Sequence, residues 1–116
     1  MEVDLHNFHP SEISVLDLVR QAWETGADEL VLIHGHGHKR KIQVRFVNSN
    51  TGYFGLEIRR VLRHRTGELK EWAVVSSLNC SKPGETSIRL RSNPSPKRYE
   101  IDLPEPTMFE KWAMES

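Results

Sequence analysis

The chain has 116 residues, with 16 Lys and Arg balanced by 16 Asp and Glu and a single cysteine. That length suits one domain with a modest core and is too short for two, the lone Cys80 excludes an internal disulfide, and no apolar run is long enough to span a membrane. An acidic N-terminus without an apolar signal segment completes the expectation of a soluble, cytoplasmic protein.

Val3 to His6 reads as a first strand, and about Pro10 to Thr25 as a helix. Pro10 suits a first helical position, Glu12 suits the positive first turn, and Val15, Leu18, Val19 and Ala22 recur at helical spacing before Gly26, the expected stop. Asp28 to His34 follows as a second strand, apolar from Leu30 to Ile33 as a strand covered on both faces or buried mid-sheet would be. Residues 35 to 52 form a loop containing a β-like stretch, Ile42 to Val47, that Asn48 to Gly52 breaks. A second helix runs from about Tyr53 to Arg65, with Phe54, Ile58, Val61 and Leu62 on its apolar face, Arg59, Arg60 and Arg63 mostly off it, and Gly67 as its end. Glu71 to Leu78 and Glu85 to Arg91 are the last strands, the second alternating inward Ile88 and Leu90 with outward Arg89 and Arg91.

The order β-α-β-α-β-β implies an α/β fold, a two-layer sandwich over residues 1–91 in which a mixed sheet carries two helices on one face. Residues 92–116 are a tail punctuated by Pro94, Pro96, Pro104 and Pro106. Thr107 and Glu110 make a capping box there, and Met108, Phe109, Trp112 and Ala113 fall on one side of a short helix. Such a helix needs a surface, so it clamps its own domain, the favoured reading, or docks on a partner.

Chemistry concentrates in two strings, Asp4-Leu5-His6 and His34-Gly35-His36-Gly37, each at the end of an apolar run. Two parallel strands joined by a helix would release both at one sheet edge, where open α/β sheets bind ligands. Asp4 and His6, two apart on a strand, leave the same face, and a carboxylate bonded to one imidazole nitrogen readies the other for proton transfer. The plain alternative is an Asp that caps the following loop beside a merely polar His6. Gly35 and Gly37 permit positive φ and close approach of a phosphate to their amides, or simply a tight turn.

Charge sharpens that choice. Residues 38–65 hold eight bases, Lys39, Arg40, Lys41, Arg45, Arg59, Arg60, Arg63 and Arg65, against one acid, Glu57, whereas residues 1–37 hold seven acids and one base. A basic stretch beside a glycine turn is the footprint of a phosphate-backbone contact, although a solvated helix face and basic loop would carry the same charges. Alternate histidines at 34, 36 and 38 can also ligate zinc, copper or nickel, but no cysteine stands nearby and only Asp4 is an evident further ligand, so no metal residues are assigned. His9, His64, Cys80 and the tryptophans Trp23, Trp72 and Trp112 receive no role.

Val3-Asp4-Leu5-His6-Asn7, Leu32-Ile33-His34-Gly35-His36-Gly37, the helix from Phe54 through Ile58 to Leu62, and Gly84-Glu85-Thr86-Ser87-Ile88-Arg89-Leu90 together resemble the Smr (small MutS-related) domain. Their counterparts there are an LDLHG-like strand end, an HGxG-like strand end, an L-R-x-x-V-x-x-x-L helix and a G-x-T-x-V-x-L strand. The resemblance covers residues 2–91 and departs at Asn7, usually glycine, at His36, often lysine, and in the Lys/Arg-rich insertion after Gly37. It implies the same sandwich and a stand-alone nucleic-acid endonuclease or binding domain. The expected chemistry is phosphodiester cleavage, with Asp4, His6 and His34 as catalytic residues and Gly35, His36, Gly37, Lys39, Arg40 and Lys41 holding phosphate. RNA supplies its own nucleophile, so it is favoured over DNA and needs no cofactor, whereas DNA hydrolysis would call for Mg²⁺ or Mn²⁺. The alternative is a non-catalytic module that grips RNA or DNA or sits on a ribosome or repair complex.

Overall fold

The computed structural model describes residues 1–5, 8, 10–35 and 53–103, with the backbone alone at 53 and 54. In chain order the elements are β1 (Glu2–Asp4), α1 (Glu12–Glu24), β2 (Glu29–Ile33), α2 (Tyr53–His64), α3 (Thr66–Leu69), β3 (Ala73–Asn79) and β4 (Glu85–Leu90). The predicted β-like stretch at 42–47 and the tail helix at 107–113 lie outside the described residues.

Helix α1 starts at Glu12 and is capped by Ser11, one residue after Pro10. The Ser11 hydroxyl accepts from the Ser14 backbone N–H while the Ser14 hydroxyl accepts from the Ser11 N–H, a reciprocal cap that satisfies two otherwise unpaired donors. One stripe of the helix, Val15, Leu18, Val19 and Ala22, is wholly buried, each Val or Leu contributing about 1.5–3 kcal/mol. Gly26 ends α1 as expected, with φ +82° and its N–H on the Trp23 carbonyl.

The sheet order is β1-β2-β4-β3, with β1 parallel to β2 and the other pairs antiparallel. The mixed sheet and its helices make the expected α/β sandwich. Strand β2 is therefore internal, but only Leu30 and Leu32 face the buried layer, while Val31 and Ile33 are half-buried on the other face. Between Val74 and Asn79 the β3–β4 ladder breaks, and the Ser77 hydroxyl takes the Arg89 N–H at 2.8 Å in its place.

Two local expectations change. Gly67 does not terminate the helical region; it sits inside α3, whose Leu69 is fully buried and draws the chain back onto the core. Arg59, expected mostly off the apolar face, is only 6% exposed, whereas Arg89 and Arg91 point outward as expected.

The described part of the tail lies along α1. Asn93 donates to the Trp23 carbonyl, Lys97 and Arg98 donate to that of Glu24, and the Gln21 amide pairs with both the N–H and the carbonyl of Asp102. Ile101 packs against the core, so the described tail residues lie on the body of the protein.

Candidate functional site

Parallel pairing sets Val3 beside Leu32 and Asp4 beside Ile33, and the Leu5 N–H continues it onto the Ile33 carbonyl at 2.9 Å. The Asp4 end of β1 and the His34-Gly35 turn after β2 consequently emerge together at one sheet edge. Antiparallel β4 begins at the same edge, with Glu85 beside Ile33 and Thr86 beside Leu32.

Alternation then assigns the faces. Val3, Leu5, Leu30, Leu32 and Thr86 are buried on the helix-covered side, which puts exposed Asp4 on the open side in a row with Ile33 and Glu85. His34 belongs to the other side, because its ring reaches the buried Thr86 hydroxyl, with Nε2 2.9 Å from Oγ1. Asp4 and His34 are thus neighbours at the edge whose side chains leave opposite faces. Their positions come together; their functional groups point apart.

The turn after β2 is built by hydrogen bonds and one positive φ. The N–H groups of His34 and Gly35 both donate to the Gly84 carbonyl, at 3.2 and 3.0 Å, and Gly35 has φ +66°, where a side chain would be strained. The Gly35 amide, expected to face a phosphate, is therefore committed to the β3–β4 connection. What Gly35 supplies is the positive φ of the turn. His34 closes the turn on its other side, its Nδ1 lying 3.0 Å from the Gly35 carbonyl.

Beneath this turn lies Arg59. Its Nε donates to Thr86 Oγ1 at 2.8 Å, and its Nη2 donates to the carbonyls of Lys82 and Glu85 at 2.6 and 3.0 Å. Thr86 is 1% exposed, so a buried guanidinium, a buried hydroxyl and the His34 ring form one continuous chain of hydrogen bonds. Reasoning from sequence missed both Arg59 and Thr86 as parts of the site. The available signal was Gly55, Ile58, Arg59 and Leu62 at i, i+3, i+4 and i+7, one buried stripe with the arginine inside it.

The basic stretch is partly answered within the protein. Arg65 holds Glu12 through Nη2 and Nε at 2.6 and 2.9 Å and also meets Glu68, while Arg60 bridges Glu57 and Glu12. The Arg65 guanidinium, with help from Arg60, holds the Glu12 carboxyl below its ordinary value. Arg63 stands exposed on the same helix.

His6, His36, Gly37, Lys39, Arg40 and Lys41 lie outside the described residues. Among the described residues no three His, Cys, Asp or Glu side chains gather as a metal site would require, and no helix is long and apolar enough to cross a membrane. Compared with protein-family models, with curated proteins and with solved structures, the chain matches none.

Proposed function

We propose that the protein is a nucleic-acid endonuclease that cleaves phosphodiester bonds, with RNA favoured over DNA. The observation that carries this reading is the parallel pairing of β1 with β2, which brings the Asp4 strand end and the His34-Gly35 turn to one sheet edge. His6, oriented by Asp4, acts as general base or acid on the 2′-hydroxyl or the leaving oxygen, with His34 as its partner at the turn. Lys39, Arg40 and Lys41 hold the strand. Cleavage of RNA in this way needs no metal, whereas hydrolysis of DNA would draw on Mg²⁺ or Mn²⁺.

The test is single-turnover cleavage of labelled single- and double-stranded RNA and DNA, each with chelator or with Mn²⁺. His6→Ala and Asp4→Asn are expected to lower the rate by about 10²–10⁴ while leaving the far-ultraviolet circular dichroism unchanged. A fully active His6→Ala protein would remove His6 from the reaction.

A second reading has its own support. The Gly35 amide is taken by Gly84 and both His34 ring nitrogens meet partners, which suits a module that binds RNA or DNA, or docks on a ribosome or repair complex, without cutting. Retarded mobility of RNA without any cleavage, under every metal condition, would favour it.

A further inference from the structure

The described molecule offers three features beyond the Asp4 and His34 strand ends: a surface hollow beside Tyr99, a shallow depression on the open sheet face, and the buried Arg59 chain. Charged side chains surround the first, half-buried Glu24 and Arg98 and exposed Asp102 among them. The second, of about 190 Å³, is lined by Glu29, Val31, Asn79, Lys82, Glu85 and Ser87. Neither gathers groups that select a ligand. The third has a direction, because its Arg59–Thr86–His34 branch leads to the turn.

A buried guanidinium is costly unless its N–H groups are met. Arg59 meets that condition in part on the Lys82–Thr86 segment, where two acceptors are backbone carbonyls and another is a hydroxyl. The carbonyl bonds tie α2 to the β3–β4 connection, a task that ends there. The bond to Thr86 does not end there, because a hydroxyl that accepts from one partner can donate to another.

Proton positions follow from the partners. The Gly35 carbonyl can only accept, so His34 Nδ1 carries a hydrogen. Thr86 Oγ1 accepts from Arg59 and passes its own hydrogen to His34 Nε2. A hydrogen on Nε2 as well would make His34 a second cation and leave the Thr86 oxygen accepting from two cations.

We propose that Arg59 is a positioning residue: acting through Thr86, it fixes His34 as the neutral tautomer protonated on Nδ1 and so holds the Gly35 turn in place at the sheet edge. The tautomer stands on the hydrogen-bond geometry alone, and only its consequence for cleavage rests on the function proposed above. Nε2, the nitrogen that an isolated imidazole prefers to protonate, is kept as an acceptor. His34 then contributes to the turn's shape, and any proton it exchanges with substrate requires Thr86 to release Nε2 first.

The experiment is nitrogen-15 magnetic resonance of the histidine rings in the full chain, with His34 assigned from the spectrum of His34→Gln. A single Nδ1–H form of His34 is expected. Thr86→Val removes the hydroxyl at nearly constant volume and should convert His34 to a mixture containing the Nε2–H form, as should Arg59→Gln, whereas Thr86→Ser should keep the wild-type pattern. An Nε2–H His34 in the wild type, or an unchanged tautomer in Thr86→Val, overturns the proposal. Should Arg59→Gln fail to fold, the Thr86 pair still decides the tautomer.

On RNA, Thr86→Val should lower the single-turnover rate by about 10- to 100-fold at unchanged Kd, with Thr86→Ser near wild type. Wild-type cleavage by Thr86→Val would refute the link to catalysis. A wild-type protein that never cuts refutes the endonuclease reading instead, and the ring spectra still decide the role of Arg59.

Discussion

Gly26→Ala tests how the tail is fastened to the domain. At φ +82° an alanine pays the left-handed penalty of roughly 1–2 kcal/mol. Its Cβ would also lie 3.0 Å from Pro96 Cβ and 3.2 Å from Pro96 Cγ, atoms of a rigid ring that cannot swing aside as a flexible side chain would. The chain at Pro96 must move, and the adjacent residues bear the cost: Lys97 and Arg98 donate to the Glu24 carbonyl at 2.9 and 3.2 Å, and Arg98 also pairs with the Glu24 carboxylate at 2.9 Å. Weakening one or two such bonds adds about 0.5–2 kcal/mol, for a total of about 1.5–4 kcal/mol. At about 4 °C per kcal/mol for a chain of this size, Tm should fall by about 6–16 °C. Urea and thermal unfolding followed by circular dichroism would measure both quantities. In a chain ending at Arg91 the same substitution should cost only the left-handed share. A loss under about 0.5 kcal/mol in the full chain would refute the strain at Gly26, and equal losses in both chains would refute the Pro96 contact.

His34→Ala should lower cleavage less than His6→Ala does, because both His34 ring nitrogens are already engaged in holding the turn, which limits its share as partner acid or base; paired single-turnover rates check the ranking. Replacing Lys39, Arg40 and Lys41 together by alanine should weaken RNA binding and flatten the log–log salt dependence by roughly 2–3 units, with little change in rate at saturation, as filter binding across a salt series would show. The Glu12→Gln substitution should alter stability in a pH-dependent way. Because Arg65 holds the folded-state Glu12 carboxyl below its ordinary 4.5, that contribution is present above about pH 4.5 and is lost as pH falls through the folded value. Urea unfolding between about pH 6 and 3 should therefore show wild-type stability falling more steeply than that of Glu12→Gln, and high salt should shrink the difference.

The elements were legible wherever a local period decides them. Val15, Leu18, Val19 and Ala22 announce α1, and Leu30 and Leu32 announce the buried side of β2. The same parity carries to His34 and opposes Asp4, but it becomes readable only once the parallel register pairs Val3 with Leu32. Arg59 was obscured because charge ordinarily marks a solvent face, and acceptors that hold it come from residues 82, 85 and 86, which no window around α2 contains. Gly67 failed as a terminator for a related reason: burial of Leu69, a tertiary effect, outweighs the local cost of a glycine in a helix.

Opposite faces at the edge divide the labour that the sequence had assigned to one cluster. Asp4, Ile33 and Glu85 form a row on the open side, where a bulky polyanion can approach. The two carboxylates stand two strand spacings of roughly 5 Å each apart, and Lys82 Nζ lies 3.8 Å from that of Glu85, so the row carries charge of both signs. Arg60 and Arg65 are already engaged with Glu12, Glu57 and Glu68, and the Arg59 charge is sealed under the turn. An arginine that exchanges a carboxylate for a phosphate recovers less than one that begins fully solvated. On the endonuclease reading, Lys39, Arg40 and Lys41, a few residues beyond the turn in sequence, join exposed Arg63 and Arg89 as the cations open to a phosphate.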